Sequence, residues 1–418
     1  MSRAPAAPHD DTGRFAPDGP YAYARLALSL LIATLVGAGM WAVIVVLPEA
    51  QRDFSVDRAA ASLPYTLMMG GLAFGAIGWG RMADRSGFAA PLAIAAVILA
   101  LGFVAAGAAP SLFVFSVAHV LLGVGTGVGF GPMMADISHW FVRRRGFAVV
   151  VVASGNYLAG AIWPLLMNLA MPVVGWRITY AGIGLVIAAT VAPMSFLMRR
   201  RPSAAVIAEA EQATTAALAD AGVSPRLLLV LLTLAGFSCC AAMSMPQVHI
   251  VAYCGDLGYG VARGAEMLSL MLTLGIVSRI GSGFVADAIG GVPTLAIGSF
   301  MQGVALMLYL YFNGLTSLFV VSGIFGLFQG GIVPMYAVIC RDLLPPRQAG
   351  AVIGVVVSAT IFGMAFGGYA SGLIFDLTGS YRMAFLNGVL WNAINFAIVG
   401  WLFWRGRKRV PAGRLLPA

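Results

Sequence analysis

Arg279 is the residue whose type and setting call most directly for a chemical explanation. It is the one charge inside residues 267–286, an apolar run long enough to cross a bilayer. At 1.5 Å per residue the side chain lies about 12 Å before Asp287 along a helix. With Asp287 near water, the guanidinium falls near the middle of a hydrocarbon core about 30 Å thick. Exposing it to lipid costs at least ~2.5–3.5 kcal/mol, so it is expected to face a polar cavity or a bound anion. Its planar fork pairs with a carboxylate through two parallel hydrogen bonds. Gly275, Ser278, Ser282 and Gly283 leave room beside it for a substrate or a close helix. The competing reading ties the arginine to backbone carbonyls at a helix break. No acidic residue falls deep in any apolar run to act as a permanent partner, which favours substrate binding.

His119 is the second candidate. An imidazole takes up a proton between about pH 5 and 8, so His119 could carry a proton or donate a hydrogen bond to a carboxylate. Its structural alternative is a neutral ring packed against a neighbouring helix. Asn156, Tyr157 and Gln329 lie near mid-depth in their apolar runs, and Tyr65 lies in another. They are candidate substrate contacts, although polar side chains serve equally as glue between membrane helices. Thr34 and Trp41 are further cavity candidates; Asn392 and Asn395 sit in the last run and are weaker ones. Cys239, Cys240, Cys254 and Cys340 show no metal spacing and read as free thiols packed as small apolar residues. The chain has no GxSxG, HExxH, P-loop or nucleotide-binding fingerprint, so neither an enzyme nor a cofactor is expected. Without an ATP site, transport would be passive or driven by an ion gradient.

The elements that must position these residues are membrane helices. Of 418 residues, 60% are hydrophobic and only 10% charged, unlike any ordinary soluble domain. Twelve apolar spans are predicted at 25–47, 59–80, 90–109, 112–135, 146–171, 177–198, 226–252, 265–286, 292–312, 315–339, 349–375 and 383–404. They lack the alternation of a barrel, so an all-α membrane protein is expected. Residues 1–23 read as a disordered cytoplasmic tail, 24–198 as a six-helix half, 199–225 as a cytoplasmic linker, 226–404 as a second six-helix half and 405–418 as a basic tail. The first span is too long for a signal h-region.

The net charge of +9 is placed for topology rather than for nucleic acid. Segments on one side hold 19 of the 25 basic residues, with clusters at Arg143–Arg145 and Arg199–Arg201. The opposite side holds Arg52, Arg58, Arg177, Arg263 and Arg382. The positive-inside rule then puts both termini in the cytoplasm, with basic clusters touching anionic headgroups. Lysine is nearly absent, with Lys408 alone, which suggests a GC-rich bacterial genome and an inner-membrane location.

An internal repeat relates the halves. Gly80-x3-Asp84-Arg85-x-Gly87 after the second span matches Gly283-x3-Asp287-x2-Gly290 after the eighth. Pro132-Met133 recurs as Pro334-Met335, and Gly175-Trp176-Arg177 has a looser counterpart in Gly379-Ser380-Tyr381-Arg382. Parallel repeats imply a pseudo-twofold axis along the membrane normal, with substrate held between the halves. Asp84 and Asp287 read as conformational latches. Glycines spaced by four, as at Gly363 with Gly367 and Gly368 with Gly372, permit close helix approach.

On these motifs the chain resembles the major facilitator superfamily over essentially its whole length. The loop after span 2 is similar to that family's G-x3-D-[RK]-x-G-x-[RK]-[RK] signature, with Ala89 and Ala90 in place of its last two basic residues. Within the superfamily it is most similar to the monocarboxylate transporter group and its bacterial relatives of the oxalate–formate type. The shared features are Trp140-Phe141-Val142-Arg143-Arg144-Arg145 leading into span 5, Gly175-Trp176-Arg177 after it, and an arginine deep in span 8. Gly275 replaces the acidic residue that animal members carry four positions before that arginine, and span 1 lacks their lysine. The resemblance therefore implies Arg279 as anion clamp but does not transfer their proton scheme. It also places an arginine in the superfamily's pattern where His119 stands, linked there to proton handling.

The expectation is a secondary carrier of small organic anions. Its substrates would be monocarboxylates such as lactate- or pyruvate-like acids, moved with a proton by a functional monomer. Exchange or uniport is the alternative mode; a drug exporter and a non-transporting nutrient sensor are the alternative functions.

Overall fold

A computed structural model describes residues 18–141, 144–200, 225–343 and 346–407, and every regular element among them is helical. In chain order these are α1 Pro20–Val36, α2 Ala38–Asp53, α3 Arg58–Ser86, α4 Ala89–Gly107, α5 Leu112–Thr126, α6 Gly131–Ser138 and α7 Arg145–Leu197. They continue as α8 Pro225–Asp256, α9 Val261–Ile289, α10 Gly291–Tyr311, α11 Leu315–Gln329, α12 Ile332–Leu343, α13 Pro346–Thr378 and α14 Tyr381–Arg407. Among the described residues, eleven stretches are long and apolar enough to cross a membrane. One of them, Phe147–Leu197, has 51 residues. At 1.5 Å per residue it would extend roughly 77 Å, more than twice the hydrocarbon core. It breaks at Gly175, where φ is 78° and ψ 162°, so it makes two crossings and the total is twelve.

The first helix starts at Pro20 and so takes in the last four residues of the segment expected to be a disordered tail. Proline at the first helical position lacks only an N–H that would have no partner there. Most of that tail, nearly all of the 199–225 linker, Arg143 and most of the basic tail lie outside the described residues.

The sequence repeat is visible in the backbone. Gly87 and Gly290 both end a helix with positive φ, at 81° and 88°, and Gly175 and Gly379 both do so before a final helix, at 78° and 66°. Glycine alone adopts this conformation without strain. Spans 4 and 10 are broken at matching depths, by a 3-10 turn at Gly127–Gly129 and by Gly330 and Gly331. Gly80 and Gly283, by contrast, face open space, since an added Cβ would meet no heavy atom within 4 Å. Arg85 lies exposed in the last turn of α3. The side chains of Asp84 and Asp287 lie outside the described residues, so the latch reading has no geometry here.

Large apolar side chains such as Phe74, Phe113, Leu169, Phe284 and Leu377 are more than 70% exposed around the periphery, as lipid-facing residues should be. The halves meet where α13 packs on α3 and where α9 packs on α7. Gly368 and Gly372 let α13 lie against Tyr65 and Ser62 of α3. At the end away from the arginine-rich loops the interface is tied shut. Arg58 Nη2 donates to both carboxylate oxygens of Asp256, at 3.1 and 3.0 Å, and Nη1 donates to the Tyr381 hydroxyl at 3.0 Å. The Asp376 carboxylate accepts the N–H groups of Arg58 and Ala59 at the start of α3.

Candidate functional site

Between the halves lies a cavity of about 380 Å³. Its walls come from α2, α3, α6 and α7 of the first half and from α8, α9, α12 and α13 of the second. It extends from Arg279 toward the arginine-rich end, where Phe130, Met134, Val149 and Val338 line it.

Arg279 projects from α9 into this cavity and is only 8% exposed. Its Nε donates to the Gly330 carbonyl at 3.2 Å, and Nη1 donates to the Ala153 carbonyl of α7 at 2.7 Å. The guanidinium carbon lies 4.2 Å from the centre of the Tyr157 ring. Gly330 is available because span 10 is unwound there. The same break is held by the Gly331 N–H, which donates to Ser278 Oγ at 3.1 Å, so α9 satisfies irregular backbone that lipid could not. Arg279 thus grips carbonyls at a helix break, as the competing reading had it, and also lines a cavity, as a polar-cavity setting requires.

The electrostatic balance is what marks the site. A guanidinium has five N–H donors, and two are engaged by carbonyls. Nη2 donates to no carbonyl or carboxylate among the described residues. Among the described residues, no acidic side chain lines the cavity. Carbonyl dipoles and an aromatic face soften the desolvation of the cation without neutralising it. The free donors can take a carboxylate end-on, using the remaining hydrogens of Nη1 and Nη2.

The structure brings Asn156 and Tyr157 to this cavity. Asn156 is held by Trp41, whose indole N–H donates to the Asn156 carbonyl at 2.8 Å and reaches its side-chain oxygen at 3.2 Å. Gly275, one turn before Arg279, is necessary for the Tyr157 position, because a Cβ there would lie 2.6 Å from Tyr157 Cε1. Gln329 sits behind the lining and accepts a hydrogen bond from Gln247, which does line the cavity. The Gln329 Nε2 donor has no partner among the described residues.

Two candidates lie elsewhere. His119 is fully buried inside the first half, with Nδ1 2.7 Å from the Phe115 carbonyl and Nε2 3.3 Å from the Tyr180 hydroxyl. Phe115 and Tyr180 cover its ring, and it does not line the cavity. Tyr65 is fully buried where α3 meets α13 at the closed end, and it too is absent from the lining. Of the two further asparagines, Asn392 donates to the Ser299 carbonyl and Asn395 to the Ser299 hydroxyl, which are helix–helix contacts within the second half. Sequence reasoning missed Gln247 and His249. His249 Nε2 lies 2.8 Å from the Gly368 carbonyl and Nδ1 lies 3.3 Å from the Tyr381 hydroxyl, joining it to the closed end. The available signal was two polar residues following Pro246 within an apolar run.

A family model described as Major Facilitator Superfamily matches residues 29–322 and 267–416. The chain belongs to the Major Facilitator Superfamily. It is a multi-pass membrane transport protein of that superfamily, and its relatives are named as transporters. It is 26% identical to monocarboxylate transporter 13 of Bos taurus, over 69% of this chain and 68% of that protein. It is 24% identical to monocarboxylate transporter 4 of Gallus gallus, over 90% and 81% respectively. Among solved structures, a bacterial homologue of the human lysosomal transporter Spinster superposes with a TM-score of 0.72 at 15% identity, covering 96% of this chain and 99% of that one. That likeness concerns the superfamily fold.

Proposed function

We propose that this superfamily member carries organic anions bearing one carboxylate, by alternating access, with Arg279 as the anion clamp. The observation that carries the reading is a buried guanidinium in the central cavity whose described partners are all uncharged. An anion completes the pairing that the protein leaves open, and a charge-assisted hydrogen bond in a dry site is about twice as strong as a neutral one. The names of the monocarboxylate transporter relatives agree with that class.

The arginine-rich end is read as cytoplasmic by the positive-inside rule, which puts both termini inside a bacterial inner membrane. In that frame the structure is the state closed to the outside. Arg279 of the second half holds Ala153 of the first through Nη1, so a carboxylate that takes the remaining Nη1 hydrogen binds at a group that links the halves. Substrate binding is thereby coupled to the interface that must rearrange.

Radiolabelled L-lactate and pyruvate in proteoliposomes, with and without an inward proton gradient, test the reading. Uptake that is stimulated by the gradient and lost in Arg279→Ala supports a proton-coupled carrier. Uptake that persists in Arg279→Ala, with the variant properly inserted, removes the clamp. A second reading, anion exchange, is favoured by the absence of any carboxylate from the cavity lining and by the distance of His119 from it. It predicts uptake that ignores the gradient and requires an internal anion.

A further inference from the structure

The wall that faces Arg279 carries information about the rest of the substrate. Five of its side chains are methionines, Met40, Met69, Met134, Met243 and Met364, contributed by five different helices and by both halves. The aromatic rings of Trp41 and Phe130 and the thiol of Cys240 add to this surface. The polar groups in the lining are few, and besides Arg279 the described ones are Asn156, Tyr157, Gln247 and Thr360. Asn156 is already engaged by Trp41, and Gln247 by Gln329.

We propose that the preferred substrates are monocarboxylates with a bulky apolar or aromatic body, larger than lactate or pyruvate. The proposal rests on the anion-clamp reading of Arg279 and adds the class of molecule that fills the remaining space. Three physical arguments support it.

The first is size. A cavity of about 380 Å³ falls in the range that encloses drug-sized ligands rather than acids of a few atoms. A lactate bound to the guanidinium would leave most of the apolar wall against water, and that wall contributes to affinity only when a substrate displaces the water.

The second is wall chemistry. Methionine is unbranched, with a polarisable sulfur that contacts aromatic rings favourably, and it adapts to bodies of different shape. A set of such side chains drawn from both halves can follow one substrate as the halves move. It gives broad recognition of apolar bodies and no recognition of hydroxyl or second acid groups.

The third is charge. With Arg279 the one charged group in the lining among the described residues, a dicarboxylate such as oxalate would bury its second charge among thioethers, at a large desolvation cost. The body must therefore be uncharged.

The test is a binding and uptake series on the full chain, in detergent and in proteoliposomes, using acetate, 3-methylbutanoate, phenylacetate, oxalate and the neutral phenylacetamide. Each methylene moved from water into an apolar wall is worth about fourfold in affinity. Phenylacetate is expected to bind at least tenfold more tightly than acetate, with 3-methylbutanoate between them and oxalate weakest of the acids. Acetate equal to or tighter than phenylacetate overturns the proposal while leaving the clamp intact. Phenylacetamide matching phenylacetate, with no loss in Arg279→Ala, overturns the clamp reading instead. Failure of every acid to bind overturns both. Ala337→Phe, which narrows the cavity wall, is expected to shrink the phenylacetate-to-acetate ratio at least tenfold. Val357→Phe on α13 serves the same purpose should the first variant fold poorly, and an unchanged ratio in both counts against the wall as the selectivity element.

Discussion

Arg58 and Arg279 are both buried and both reach across the boundary between the halves, yet they are solvated in opposite ways. Arg58 leaves the first half and meets Asp256, with Tyr381 beside it and the Phe375 ring 4.8 Å away. Arg279 leaves the second half and meets the Ala153 carbonyl, the Gly330 carbonyl and the Tyr157 ring. The first cation is neutralised by protein, the second only by dipoles. A neutralised arginine holds two bodies together and has no electrostatic demand left for a ligand. An arginine that retains its charge in a cavity is poised for an anion. Burial alone does not separate a latch from a binding group; the charge of the partners does.

The largest expected effect comes from removing the retained charge. Arg279→Gln should lower anion affinity or uptake by at least about thirtyfold, the lower end of a 2–5 kcal/mol loss for a buried charge pair. Arg279→Lys, which keeps charge but not the fork, should recover part of it. Arg58→Gln run in parallel should leave anion binding within a few-fold, and equal losses in both would dissolve the contrast. Next in size is the latch. Asp256 is part-exposed, so Asp256→Asn should cost about 1–2 kcal/mol, a roughly five- to thirtyfold shift toward the state open at that end. Thiol labelling of Ser62→Cys from that side would report it, and the native cysteines Cys239, Cys240, Cys254 and Cys340 are all buried.

Smaller effects sharpen the comparison. Gly275→Ala should push the Tyr157 ring off Arg279 and weaken anion binding by about tenfold, near the ~1–2 kcal/mol of a desolvated cation–π contact. The least effect is expected at Asp53, whose sequence position repeats that of Asp256. It accepts from the Trp176 indole at 2.8 Å and lies 3.7 Å from Arg177 within its own half, with both ion-pair side chains about 40% exposed. Asp53→Asn should change thermal stability by less than about 1 kcal/mol and leave the labelling of Ser62→Cys unaltered. A shift as large as that of Asp256→Asn would show that this end works as one unit rather than as a latch on one side.

The helices and their doubling were legible because hydrocarbon imposes a minimum apolar length and because Gly87 with Gly290, and Gly175 with Gly379, mark backbone that other residues avoid. Arg279 was legible because an intramembrane charge cannot be placed idly. His119 was not, since depth along a helix says nothing about which way a ring points. Its neighbours Phe115 and Tyr180 close around it on the side away from the cavity. The closure at the Arg58 end was equally hidden. Asp256 and Asp376 lie 198 and 318 residues from Arg58 in sequence, and each alone looks like an ordinary charge at a span end. The methionine wall is dispersed over five helices, so no window of sequence contains it.

The start of α3 carries two carboxylates, and their ownership differs. Asp57 accepts the Ala60 N–H from within the same half, while Asp376 accepts those of Arg58 and Ala59 from the other. When the halves part, the borrowed carboxylate departs and the resident one stays. The helix keeps a cap, its first turn need not fray, and the two exposed N–H groups pass to water. The closure thus has the form of a detachable clasp on a permanently hemmed edge, built so that it can open and reseal without unravelling the helix it fastens.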